Sequence, residues 1–210
     1  MIQKILPNSA AKLRILKTVY KNAGINFTAL VKKSGTSPNI VLGYVNRLVE
    51  QGILREKRIG GKKKTHIRLF SPNLQGIGID LFSFVELEEK NKFLDKYREL
   101  RPLFRQLEAL LRPPKADFSL VYGSFARFAA DKDSDLDLWI VGKVDAETKK
   151  RIREIFSTLD RDFNVTIEER EKFLGKIGEP IRQNMIKDHV IICGERGFLK
   201  TLSGTSKDAL

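Results

Sequence analysis

Residues 122–141 read YGSFARFAADKDSDLDLWIV, and this stretch decides how the larger part of the chain folds. Phe118–Tyr122 is a short apolar run that passes directly into Gly123-Ser124. Eleven residues after Ser124 comes Asp135-Leu136-Asp137-Leu138-Trp139-Ile140-Val141. Its alternation has the period of a strand, with Leu136, Leu138 and Ile140 on a core face and Asp135 and Asp137 together on the other. Two carboxylates side by side repel each other unless a cation or hydrogen-bond donors lie between them. Oxygen donors suit Mg²⁺ (or Mn²⁺), which keeps several waters and takes substrate phosphates as further ligands. The Gly123-Ser124 turn leads from strand to helix, where free backbone amides suit a phosphate oxygen. Together the two halves fit a metal-bound nucleoside triphosphate. Arg127 is placed to meet phosphate charge or a loop aspartate. The bland alternative is a capped turn beside a solvated acidic strand.

Beyond this stretch the pattern predicts a helix over Glu147–Leu159, a strand over Phe163–Ile167, helices over Glu169–Ile177 and Ile181–Ile186, and a last strand at His189–Gly194. His189 and Cys193 read as packing residues. Before it, Leu81–Leu111 is helical in period, with Pro102 dividing it or starting a second helix near Arg101 and Arg112-Pro113-Pro114 ending it. This bridge, residues 71–115, is a candidate homodimer contact.

The first 70 residues differ in charge. They hold 15 Lys and Arg against 2 acidic residues, a net +13, while residues 71–210 balance at 24 against 24. The whole excess of the chain therefore lies in its first third, which points that part at a polyanion. Ser9 precedes one helix, Thr28–Lys33 forms a second, and Ser37-Pro38 opens a third that carries Val41, Tyr44, Val45, Leu48 and Val49. Ile53–Arg58 and Thr65–Phe70 read as a hairpin with a glycine-containing tip. Asn46 and Arg47 on the third helix offer groups to base edges, and the cluster of Arg55, Lys57, Arg58, Lys62, Lys63, Lys64 and Arg68 offers charge to phosphates. Duplex DNA is the favoured partner; structured RNA and a protein-interaction surface are the other readings.

One cysteine, Cys193, rules out an intrachain disulfide framework. There is no apolar run of signal-peptide or membrane-spanning length, so the expectation is a soluble cytoplasmic protein without a membrane partner.

Two resemblances follow. Residues 8–70, and LVEQGILREKRIGGKKKTHIRLF above all, resemble the winged helix-turn-helix family. That likeness implies a third helix in the major groove, with Ser37, Asn39, Gly43, Asn46 and Arg47 on or near the reading face. YGSFAR…SDLDLWI resembles the minimal nucleotidyltransferase domains of the DNA polymerase beta superfamily. It implies metal-dependent transfer of a nucleoside monophosphate from a triphosphate to an acceptor, with Asp135 and Asp137 on the metal and Gly123 and Ser124 on the phosphates. Members carry a third acidic residue on a neighbouring strand; here the matching position is Asn164, and Asp162 and Glu168 stand on its face as substitutes. An amide cannot act as a carboxylate base.

The expected architecture is thus α+β: a winged helix domain (1–70), a helical bridge (71–115), a nucleotidyltransferase-like α/β domain with a mixed sheet (116–200) and a flexible tail (201–210). A metal-dependent nucleotidyltransferase is the first reading. A DNA-binding transcriptional regulator that binds nucleotide or a partner without turnover is the second, and modification of a protein partner is a third.

Overall fold

The computed structural model describes residues 5–60, 66–112 and 115–205. The chain forms two compact units, one running to Val85 and resuming at Leu202, the other comprising Glu86–Thr201.

In the first unit, α1 (Ala10–Lys21), β1 (Ile25–Asn26), α2 (Phe27–Ser34) and α3 (Pro38–Glu50) precede a hairpin of β2 (Leu54–Gly60) and β3 (His66–Pro72). Local chemistry sets these limits. The Ser9 hydroxyl accepts from the Lys12 amide at 3.4 Å, and the Asn26 side chain caps α2 by accepting from Ala29 at 2.9 Å. Gly35 takes the left-handed conformation that stops α2. Pro38 fits the first turn of α3; Ser37 occupies the cap position, but its side chain makes no capping bond. Ile15, Leu16 and Val19 of α1 are buried, as are Leu30 of α2 and Val41, Tyr44, Val45 and Leu48 of α3. The three strands pair antiparallel in the order β1-β3-β2. The two-residue β1 escapes sequence analysis because it is too short to show alternation.

The unit boundary falls within α4 (Ile77–Lys96). In the second unit a 3-10 turn (Arg98–Leu100) leads to α5 (Arg101–Leu110), with Pro102 in its first turn as expected. Then come β4 (Phe118–Tyr122), α6 (Gly123–Ala126), β5 (Leu136–Val141), α7 (Ala146–Phe156) and β6 (Phe163–Glu168). The unit continues with α8 (Arg170–Gly175), α9 (Pro180–Lys187), β7 (Val190–Cys193) and α10 (Glu195–Thr205). Helix α10 carries regular structure through the first five residues of the expected tail.

The sheet order is β6-β5-β4-β7, with β5 and β6 parallel and the other pairs antiparallel. It is the mixed sheet anticipated, and α7 is the crossover that parallel neighbours require. Helices pack on both faces. On one, Val121, Leu136, Leu138 and Ile140 join Phe93, Phe104, Leu107, Ile152 and Phe156 in a continuous core. On the other, the Phe118 ring meets Phe173 at 5.4 Å and Phe198 at 5.2 Å. The His189 side chain is 8% exposed, with Nδ1 2.7 Å from the Ile186 carbonyl and Nε2 3.1 Å from Glu86 Oε1. No helix among the described residues is long and apolar enough to cross a membrane.

Candidate functional sites

On α3 the buried stripe leaves the opposite side to solvent. Ser37, Asn39 and Arg47 are exposed, while Gly43 and Asn46 are half-buried. Asn39, Gly43 and Asn46 follow the i, i+4, i+7 spacing of one helical face. A Cβ on Gly43 would touch nothing within 4 Å, so the fold does not require this glycine; its effect is to keep the outer face low. Of the basic residues assigned to phosphate, Arg58 is exposed on β2, and Lys62, Lys63 and Lys64 lie outside the described residues.

The register of the wing sorts its side chains. Glu56 faces Phe70, Arg58 faces Arg68 and Gly60 faces His66, all on the side that looks toward α3. Arg68 donates from Nη2 to Glu56 Oε2 at 2.7 Å and to Asn46 Oδ1 at 2.8 Å. Arg58 Nε donates to Glu56 Oε1 at 2.5 Å. The hydrogen bond from Arg68, then that from Arg58, holds the Glu56 carboxyl below the usual carboxylate range against an opposing effect of burial. A lowered folded-state value means that this contribution is present at neutral pH and lost as pH falls through that value. Sequence assigns Arg68 to phosphate; the structure instead turns it onto Glu56 and Asn46, partners that strand register and the α3 contact set and that no local signal announces.

In the second unit three strands bring the other candidates into one row. Tyr122 on β4 faces Asp137 on β5, and Asp137 faces Asn164 on β6. Gly123 has φ +73, and a Cβ built there would lie 2.5 Å from Asp137 Oδ2. Asn164 Nδ2 donates to Asp137 Oδ1 at 3.2 Å. Burial pushes the Tyr122 phenol up, the Asp137 charge adds to that, and a hydrogen bond with Thr166 opposes it. Asp135 is exposed, one residue before β5 begins. The turn ahead of it is self-contained: the Asp131 carboxylate accepts from the Ser134 hydroxyl at 2.7 Å and the Asp133 amide at 3.1 Å. Arg161 closes the same turn by donating to the carbonyls of Asp131 at 3.2 Å and Ser134 at 3.4 Å, a contact between distant segments with no local sequence signal.

The remaining candidates are distributed differently. Ser124 is half-buried within α6, which has only four residues. Arg127 lies one turn after Gly123, at the C-cap of α6. It is exposed and, among the described residues, has no carboxylate within ion-pair distance. Asp162 contributes its backbone carbonyl to the Leu136 amide at 3.0 Å and leaves its side chain exposed. Glu168 is buried and taken: it forms a two-point pair with Arg182 and accepts from Trp139 Nε1 at 2.8 Å. It is therefore no replacement for a third site carboxylate.

Among the described residues no three His, Cys, Asp or Glu side chains gather as cation ligands. Asp135 and Asp137 supply two carboxylates there, and the Asn164 amide donates into one Asp137 oxygen.

The chain matches no curated protein sequence. Residues 9–55 match the family described as winged helix-turn-helix DNA-binding, a span that opens at the cap of α1 and closes in β2. The N-terminal part of the protein is a winged helix-turn-helix DNA-binding domain.

Proposed function

We propose that the protein is a DNA-binding transcriptional regulator whose second unit, a nucleotidyltransferase-like fold, binds a nucleoside triphosphate without turnover. The observation that carries this reading is the winged-helix match lying within the segment that holds all of the excess positive charge. The outer face of α3 reads duplex DNA, and the basic wing meets its phosphates. In the second unit Asn164 stands where a transferase needs its third carboxylate, and its amide donates to Asp137. That arrangement retains a polar socket and removes the base. A homodimer through α4 fits the exposure of Ile77 (41%) and Phe84 (40%) and would present two helices to a symmetric site.

Filter binding of a random-sequence duplex checks the DNA part. The wild type retains duplex with a steep salt dependence, and changing Lys62, Lys63 and Lys64 to Ala lowers the slope by about 2–3. An unchanged slope removes those lysines from the interface.

A metal-dependent nucleotidyltransferase is the second reading, favoured by the packing of Gly123 against Asp137. In it Asp135 and Asp137 hold a phosphate-borne Mg²⁺ or Mn²⁺, and Gly123, Ser124 and Arg127 meet the triphosphate. Pyrophosphate release on incubation with triphosphate decides between the two. Asn164→Asp is a sharper probe. It sets a second carboxylate beside Asp137, so thermal stability falls without metal and rises on adding Mn²⁺ more than in the wild type. Equal Mn²⁺ shifts in both proteins would show that Asp137 and residue 164 do not share a cation.

A further inference from the structure

Only two acidic residues, Glu50 and Glu56, occur among the first 70. Beside a polyanion, a carboxylate is unfavourable unless it holds something in place. Glu56 does so. Its side chain is one-tenth exposed, and it receives Arg58 on one oxygen and Arg68 on the other. The Arg68 guanidinium lies over the Phe70 ring at 5.0 Å and reaches across to α3 to donate to Asn46. These groups line a cleft of about 460 Å³ between α3 and the wing, bordered also by Val49, Glu50 and His66.

Two consequences follow from donor and acceptor chemistry. A guanidinium only donates, so the Asn46 atom that meets Arg68 is the amide oxygen. The Asn46 amide nitrogen is left for a ligand, and it matches acceptors on the major-groove edge such as purine N7 or guanine O6. Meanwhile Glu56 offsets one of the two guanidinium charges: Arg68 is only about one-quarter exposed, whereas Arg58 stays about two-thirds exposed and open to a phosphate.

We propose that Glu56 and Arg68 form a positioning clamp that fixes Asn46 as a donor to a base edge and withholds Arg68 from the phosphate backbone. The clamp lowers sequence-independent affinity and sharpens sequence preference. It rests on the DNA-binding reading given above.

The test compares the full-length wild type, Glu56→Gln and Arg68→Lys on two probes: a random-sequence duplex pool and the duplex that the wild type selects from that pool. Glu56→Gln releases one phosphate contact, that of Arg68. It should bind the pool more tightly at low salt, with a log K against log salt slope steeper by about 0.9. Its preference for the selected duplex should fall about fivefold or more. Arg68→Lys keeps the charge and loses the planar fork, so preference falls while the slope stays near that of the wild type. Reselection with Arg68→Lys should relax the base beneath Asn46, a readout that a purely structural role would not move. Wild-type slope and preference in Glu56→Gln, or full preference in Arg68→Lys, overturns the clamp. Failure of the wild type to bind either probe overturns the DNA reading, and the clamp with it.

Discussion

Arg182→Met is expected to destabilise the second unit by about 3–5 kcal/mol. Arg182 is 4% exposed and Glu168 is 7% exposed. The guanidinium grips both carboxylate oxygens, with Nη2 donating to Oε2 at 3.0 Å. It is also stacked over the Trp139 ring at 4.8 Å and near Phe173 at 5.2 Å. Removing it leaves a buried carboxylate with the Trp139 indole as its remaining side-chain donor. The cost is that of an uncompensated charge rather than of lost packing, since Met fills much of the same volume. Taking away both charges tests this. Glu168→Leu/Arg182→Met should recover most of the loss, because an apolar pair of similar size need not be solvated. A protein of two units need not unfold in one step, but Trp139 is the chain's single tryptophan and sits against the pair, so its fluorescence follows this unit alone. Wild-type urea midpoints in Arg182→Met would show that the pair contributes nothing.

The same pair shows where sequence reasoning stops. Period-two alternation made β5 legible, because Leu136, Leu138 and Ile140 must turn to one core whatever surrounds them. The helices of the first unit were legible from Ser9, from Pro38 and from glycine stops, all of which act within a few residues; the Asn26 cap of α2 was not read. Asn164 was legible as a departure because parallel pairing places it beside Asp137 once the two strands are recognised. Glu168 was not. Its alternation puts it on the site's side of β6, but its ionisable partner comes from α9, and nothing local announces that Arg182 will reach it. The Glu56–Arg68–Asn46 contact was hidden for the same reason. The early end of α6 was unread for a different cause. Helix α6 stops after four residues because Phe128 takes φ +58, a left-handed conformation costly for a bulky side chain. Packing over-determines it: the Phe128 ring lies 6.3 Å from Phe93 and 6.5 Å from Tyr97, and its carbonyl accepts from Lys96. Helix termination by tertiary packing leaves no glycine or proline to read.

Gly123→Ala is expected to cost about 2–4 kcal/mol and to remove triphosphate binding by the second unit. Two effects add. At φ +73 an L side chain costs about 1–2 kcal/mol by itself. The new Cβ also falls 2.5 Å from Asp137 Oδ2, closer than real contacts allow, so the carboxylate must swing away. Doing so breaks its hydrogen bond from Asn164, worth about 1 kcal/mol or more for a charged acceptor. Gly175→Ala is the matched control. Its Cβ would meet nothing within 4 Å and its φ is ordinary, so stability should hold or rise slightly. The two effects separate in a double-mutant cycle. In an Asp137→Ala background the clash is gone, and Gly123→Ala should then cost only the backbone share, about 1–2 kcal/mol. A full cost in that background would mean that Asp137 does not press on the turn, and an unchanged midpoint for Gly123→Ala alone would mean that the turn accommodates a side chain. Either result would dissolve the link between the Gly-Ser turn and Asp137 on which a phosphate-binding role for the second unit depends.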